Sequence, residues 1–372
     1  MMRSALLRSL RSVRETLLSD HRARHTHLPQ RRAEEEEEEE EEEGSSSSLD
    51  HLPVDVQFLI MTYLPPEDLC RLGGCSRYWR SMVQEPLLWR YFFMRDMASW
   101  TSVDHASMPR EEFLSTAAVT DRWELRRLDY MSEYLRCSPV CRGQYGQQRP
   151  ALEAVAYFLQ NLVAGAEPRF AMLGPGLEQL DVSLMTTMMY SPHILPVAGI
   201  PQRQIGGIGS GISFLFNGRN KFNIITLYST NSSERERARL EQQSVRSKLF
   251  VQEGEAEGRS VYSVAPQVQE VCQAVNGFIF VSNAETDRGR MEEYSQLRAV
   301  LQPIWGPASR PLLVLSCVSR EGADRTPSVT VAHQLQLHLL TNPWMVQDAV
   351  SESLAGLLDG LCWLLKQSGV RL

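Results

Sequence analysis

The runs FAML (residues 170–173), GFIFVSN (277–283) and PLLVLSCVS (311–319) are apolar almost without a break, and helical patterns separate them. A strand with one wet face alternates apolar and polar residues, whereas a strand that reads as one apolar run must be covered on both faces. Strands of that kind with helices between them specify an α/β architecture, a mostly parallel sheet layered between helices. The helical stretches are 151–163, 177–189, 232–250 (with Ser232 or Ser233 as cap), 266–275, 331–340 and 351–365. Within ISFLFNGRNKFNIITLYS (212–229), Asn217-Gly218 joins two apolar segments, and both residues tolerate positive φ, so an antiparallel hairpin is expected.

Residues 49–96 follow a different pattern. Leu52, Val56, Leu59, Ile60, Tyr63 and Leu64 recur at three and four, one face of a helix. Pro53 sits at its start, where a missing amide costs nothing, and Pro65-Pro66 end it. Leu69 and Leu72 carry the apolar face to Gly73-Gly74, a third helix starts near Ser76, and Pro86 opens a fourth. Helices this short depend on one another for stability. Residues 97–150 read as a helical connector ending in a glycine-rich polar loop, with DRWELRRLDYMSEYL (121–135) as its clearest helix.

Charge and cysteines set limits. The formal net charge of −7 comes from ten consecutive glutamates at 34–43, without which the chain carries +3. Bulk charge therefore argues for no nucleic-acid partner. That run and Ser45 to Ser48 bury nothing and read as a linker. No apolar run reaches the ~18 residues of a membrane helix, so no membrane partner is expected. The seven cysteines lack metal-ligand spacing and read as reduced, intracellular thiols. No metal or cofactor is expected.

The order Leu52-Pro53, Ile60, Leu64, Pro66-x-Asp68-Leu69, Ser76-Arg77-x-Trp79-Arg80 and Glu85-Pro86-x-x-Trp89-Arg90 resembles an F-box. That resemblance implies docking onto the SKP adaptor of a cullin–RING ubiquitin ligase. It makes Leu52, Pro53, Ile60, Leu64, Leu69, Val83, Leu88 and Trp89 candidates for the adaptor interface or the core behind it. The expected mode is a helical face in a partner's apolar groove.

The second domain poses its own question at FAMLGPGLEQLDVSL (170–184), where strand, glycine turn and helix follow one another as in a phosphate loop. Its element order, with the hairpin after that turn, resembles the small GTPase fold. The nucleotide residues are absent. Gly174-Pro175-Gly176-Leu177-Glu178-Gln179-Leu180-Asp181 has no Lys-Ser/Thr, and Glu178 and Asp181 put negative charge where phosphates would lie. Tyr228-Ser229-Thr230 lacks the Asp-x-x-Gly for magnesium, and PLLVLSCVSR lacks the Asn-Lys-x-Asp that reads guanine. The alternative, a divergent GTP hydrolase, stands against those three absences. Residues 206–211, GGIGSG, follow no clear parallel strand and read as a loop, and His333 and His338 as ordinary helix residues. No nucleophile triad has a local signature.

Together these features resemble F-box proteins that carry an atypical GTPase-like domain. The resemblance implies a non-catalytic substrate receptor whose GTPase-like domain holds the client, with telomere-repeat-binding factor and D-type cyclins as expected clients. The segments expected are 1–48, the N-terminal region with its glutamate linker; 49–96, the F-box; 97–150, the connector; and 151–372, the client-binding α/β domain. In the small GTPase fold the hairpin strand lies at the sheet edge, so Ile212, Ser213, Phe214, Leu215 and Phe216 are expected to offer unpaired backbone to a client strand, the alternative being an edge capped by loops. The first 32 residues hold eight arginines, two acidic residues and an apolar stripe of Leu6, Leu10, Val13 and Leu17. A mitochondrial presequence, an amphipathic helix on a partner or on a second copy, and an unordered tail all fit. The F-box gives the chain cytoplasmic or nuclear work, which weighs against import.

Overall fold

The computed structural model describes residues 49–114, 128–144, 167–199, 210–227, 249–256, 259–286 and 290–372. The N-terminal stripe, the glutamate run, the helical stretch 151–163 and most of 232–250 lie outside the described residues, as does GGIGSG up to Gly209. The chain divides into two compact units. One holds the described residues as far as Asp96 together with Glu111–Leu135, and the other holds Met97–Arg110 together with Arg136–Leu372.

In the first unit, helices α1 (Val54–Met61), α2 (Pro66–Cys75), α3 (Arg77–Val83) and α4 (Pro86–Asp96) follow one another closely, joined later by α5 (Glu111–Leu114) and by α6 (Tyr130–Cys137) as far as Leu135. Prolines start three of them: Pro53 is the cap residue of α1, and Pro66 and Pro86 are the first residues of α2 and α4. Ser76 caps α3, its hydroxyl accepting from Trp79 N at 3.2 Å. Helix α2 runs across Gly73-Gly74 to Cys75 where a break was expected, with Gly73 packed against Val83. Phe58, Met61, Trp89, Phe92 and Phe93 form the interior. Around them Trp89 meets Phe92 and Tyr134 at 5.9 and 5.5 Å, and Phe113 meets Tyr130 edge-on at 5.1 Å.

The second unit is built on an eight-stranded sheet in the order β1-β10-β9-β8-β2-β5-β4-β3. Its strands are β1 (Ser102–Asp104), β2 (Arg169–Leu173), β3 (Val197–Gly199), β4 (Ser210–Phe216), β5 (Asn220–Thr226), β8 (Gly277–Asn283), β9 (Leu312–Val318) and β10 (Trp344–Val350). The five strands from β10 to β5 are mutually parallel, while β1 pairs antiparallel at one edge and β4 and β3 at the other. Every residue of β8 and of β9 is buried, as their unbroken apolar runs require. One face of the sheet packs on α7 (Gly176–Gln179), α8 (Leu184–Tyr190) and α12 (Leu357–Gln367), whose Leu177, Met188, Leu361 and Leu364 meet Ile279, Leu313 and Leu315. Helices α9 (Pro266–Ala274), α10 (Met291–Val300) and α11 (Ser328–Gln334) complete the layering. A separate ribbon pairs β6 (Phe250–Ala256) with β7 (Arg259–Val264).

The hairpin expected at Asn217-Gly218 is present, with φ of 52° and 65° at those residues and Arg219 completing the loop. Three helical readings are shorter than expected. The stretch 177–189 breaks at Leu180, where the backbone turns extended, and restarts at Leu184 with Ser183 as its cap. The stretch 331–340 breaks at Gln336, which is left-handed at φ 48°. The last helix begins only after Gly356.

Residues 97–110, read from sequence as connector, supply β1, which pairs with β10. The edge expectation for Ile212 to Phe216 is corrected. Strand β3 lies outside β4, with Val197 opposite Phe214, Gly199 opposite Ser213, and Leu215 N donating to Pro196 O at 2.9 Å. The physical reason is the backbone: Ile212, Phe214 and Phe216 are core on the sheet face, and β3 pairs the N–H and C=O groups beside them that an edge strand would leave open.

Candidate functional site

Helix α1 is apolar nearly all round, so its outer face cannot be polar. Inward go Phe58 and Met61, at 1% and 0% exposure. Outward go Pro53, Val56, Ile60 and Tyr63, three and four residues apart; the last three are 38%, 37% and 64% exposed. Leu52 and Leu64 are half-buried at its flanks. The result is one continuous apolar stripe on a short helix, held from behind by a packed core.

The eight candidate residues therefore separate into two groups. Pro53 and Ile60 are on the stripe, with Leu52 and Leu64 beside it. Leu69, Val83, Leu88 and Trp89 are interior, none more than 3% exposed. Trp89 also fastens two helices, its Nε1 donating to Val83 O at 2.6 Å. Val56 and Tyr63 belong to the stripe by the same spacing that placed Ile60 on it, the signal that could have added them to the candidates.

The approach to α1 is tied down by polar groups around the buried Gln57. Gln57 Nε2 donates to Leu49 O at 2.9 Å and Asp50 O at 3.2 Å, and Gln57 Oε1 accepts from Tyr78 Oη at 2.5 Å. Asp50 Oδ1 accepts from Trp79 Nε1 at 2.7 Å. Burial raises the Tyr78 hydroxyl above the usual tyrosine pKa, with the Gln57 bond opposing it, so the phenol is a donor at neutral pH.

The glycine turn after β2 is packed where a phosphate loop is open. A Cβ on Gly174, at φ 125°, would stand 2.4 Å from Val281 O, and one on Gly176 would stand 2.8 Å from Val281 Cγ1. The amides that would face an anion are bonded within the turn: Leu177 N to Gly174 O, Glu178 N and Gln179 N to Pro175 O, and Leu180 N to Gly176 O, at 2.9–3.4 Å. Neighbouring strand ends are stitched together across the same region. Asn283 Nδ2 donates to Gln179 Oε1 at 3.3 Å, Asp181 N to Ser319 Oγ at 3.2 Å, and Ser319 N to Glu285 Oε1 at 2.6 Å. Carboxyl ends of parallel strands are where open α/β sheets bind nucleotides, and here those groups bond one another.

Across three strands of the sheet runs a polar row, half-buried Asp348 opposite buried Ser316 and Ser316 opposite buried Ser282. Arg325 Nη2 lies 3.2 Å from Asp348 Oδ1, and Arg290 Nε donates to Ser282 Oγ at 3.1 Å and lies 3.9 Å from Glu293. Burial pushes the Asp348 and Glu293 carboxyls up to about 7, against the pull of Arg325 and Arg290. No group of three metal-ligating side chains occurs among the described residues, and none of their helices is long and apolar enough to cross a membrane.

The F-box-like family model matches residues 49–95, the segment that carries the stripe. F-box only protein 4 of Bos taurus is 48% identical over 324 residues, covering 86% of this chain and 84% of that protein. The chain belongs to the F-box only protein 4 family. The Homo sapiens member is 47% identical over 326 residues, again 86% of this chain and 84% of that protein. Outside the family, F-box/LRR-repeat protein 5 of Xenopus laevis is 31% identical over 89 residues, 23% of this chain and 12% of that protein. Family membership and the F-box together support a substrate-recognition role in an SCF ubiquitin ligase.

Proposed function

We propose that this chain is the substrate-recognition subunit of a Skp–cullin–F-box ubiquitin ligase, in which the F-box docks the SKP adaptor and the α/β domain, small-GTPase-like in element order, holds the protein client for ubiquitination and proteasomal degradation. The observation that carries the reading is the exposed stripe of Pro53, Val56, Ile60 and Tyr63 over a packed F-box core. Such a stripe suits insertion into an apolar groove. Ubiquitin transfer then gains rate from proximity, and no residue of this chain performs chemistry. The engaged amides of the glycine turn support the non-catalytic reading over GTP hydrolysis.

The clients we expect are telomere-repeat-binding factor and D-type cyclins, with the cytoplasm as the place of work and the nucleus as a second. The client surface we propose is the outer edge of the sheet at β3, where Val197 is 40% exposed and Ala198 is exposed, with Ile212 to Phe216 as the strand behind it. Proline at Val197 and separately at Ala198 tests this: one of them removes an outward amide, and unchanged client affinity in both folded variants sinks it. Dimerisation through the N-terminal apolar stripe of Leu6, Leu10, Val13 and Leu17 is a further expectation, read by sedimentation with and without residues 1–32. The adaptor reading is tested by copurification of the full chain with the SKP adaptor, and of a Val56→Asp/Ile60→Asp variant with unchanged thermal stability. Wild type is expected to retain the adaptor and the variant to lose it; equal retention overturns the assignment of the stripe. Saturable binding of magnesium-GTP in the micromolar range overturns the non-nucleotide reading.

A further inference from the structure

We propose that Gln57, acting with Tyr78, is a positioning residue that holds residues 49–52 in their docking conformation before the adaptor arrives; the proposal rests on the adaptor reading above. Gln57 lies in the middle of α1 and is 1% exposed. A buried amide is costly unless hydrogen-bonded, and an apolar side chain of similar volume would fill the site without that cost. Its two donors go to consecutive carbonyls, Leu49 O and Asp50 O, and its oxygen accepts from the hydroxyl of Tyr78 on α3.

The segment so held is not in a helix or a strand, and its ends need external ties. Leu52 N donates to Leu49 O at 3.2 Å, closing a turn around the carbonyl that Gln57 also binds. Trp79 adds a third tie through Asp50 Oδ1. Residues 49–52 are thus bound to α1 by Gln57 and to α3 by Trp79, while Tyr78 fixes the Gln57 amide itself. The segment leads directly into Pro53 and the exposed stripe. Holding a segment in its bound conformation raises affinity by lowering the ordering cost of association. Apolar packing is indifferent to small rotations, whereas three directional bonds select one geometry.

The experiment compares the full-length wild type with Gln57→Leu and Tyr78→Phe, the first removing all three Gln57 bonds and the second only one. Affinity for the purified SKP adaptor is measured by titration calorimetry, together with thermal midpoints and amide exchange over residues 49–56. The expected result is roughly tenfold weaker binding for Gln57→Leu and a two- to threefold loss for Tyr78→Phe, the size of a small ordering cost. Amide exchange at residues 52–56 of free Gln57→Leu should be at least about tenfold faster, with protection restored in the complex. A purely structural role predicts a lowered thermal midpoint with unchanged affinity in the folded fraction, and that result overturns the proposal. Unchanged exchange at 52–56 in Gln57→Leu also overturns it. Wild type that fails to bind the adaptor overturns the adaptor reading, and the exchange comparison still decides whether Gln57 holds the segment.

Discussion

Ile60 and Trp89 belong to one motif and do opposite work. Ile60 is 37% exposed and Trp89 is fully buried against Phe92 and Tyr134. Ile60→Glu is expected to change unfolding free energy by under about 0.5 kcal/mol, as surface substitutions do, while abolishing adaptor copurification. Trp89→Ala is expected to cost about 3–5 kcal/mol by leaving a cavity, visible as a large drop in denaturation midpoint. The three-four spacing carries Ile60 along α1 but does not mark it as outward, because α1 is apolar apart from Asp55 and Gln57 and its pattern singles out no inward face. Gln57 was invisible for a related reason: in a sequence, a glutamine on a helix reads as solvent-facing. At the glycine turn, Gly174→Ala would place a methyl 2.4 Å from Val281 O at a φ of 125°, and is expected to cost at least about 2 kcal/mol by strain and overlap, read by urea denaturation.

Among the elements, those with unbroken apolar runs were legible and those that use polar residues for pairing were not. Strands β2, β8 and β9 are where the sequence pattern put them. Strand β10 escaped because Gln347 and Asp348 interrupt WMVQDAV. Gln347 Nε2 donates to Thr101 O at 3.3 Å, beside the backbone bond from Asp348 N to the same oxygen at 2.8 Å, where β1 is brought in, while the Asp348 carboxyl faces Arg325. Strands β1 and β3 are three residues each, too short for a period of two to show. The polar ribbon β6–β7 carries Glu253 and Glu255 inside strands and offers no apolar run either. Because Val103 is fully buried opposite Val346, Val103→Asp is expected to lower stability by about 2–4 kcal/mol through an unpaired buried carboxyl. Thermal unfolding of the full chain checks it.

At the scale of the whole molecule, the polar row across the sheet is expected to give folding a pH dependence of unusual sign. Burial holds the Glu293 and Asp348 carboxyls at about 7 in the folded chain, and in the unfolded chain such groups titrate near about 4. Between those values the folded state binds more protons. Their contribution is fully present below about pH 4 and is lost as pH rises through about 7. Replacing Glu293 with glutamine should therefore flatten the fall in unfolding free energy between pH 5.5 and 8, read by urea denaturation relative to wild type, by on the order of 1–2 kcal/mol. A slope identical to wild type contradicts the assignment.

The glycine turn bears on the same scale, since it follows the carboxyl end of β2, the end of a parallel sheet at which open α/β proteins bind nucleotides. Its amides are bonded to its own carbonyls, its helix lasts only from Gly176 to Gln179, and Val281 occupies the space beside both glycines. Writing the missing signature back with Gln179→Gly, Leu180→Lys and Asp181→Ser would put a lysine where Leu180 is 1% exposed. That triple variant is expected to unfold more readily and still to ignore magnesium-GTP in a titration. The signature residues are only half of a binding loop: the other half is open space and free amides, and with Val281 filling the first and the turn's own carbonyls taking the second, restoring the letters restores no cradle.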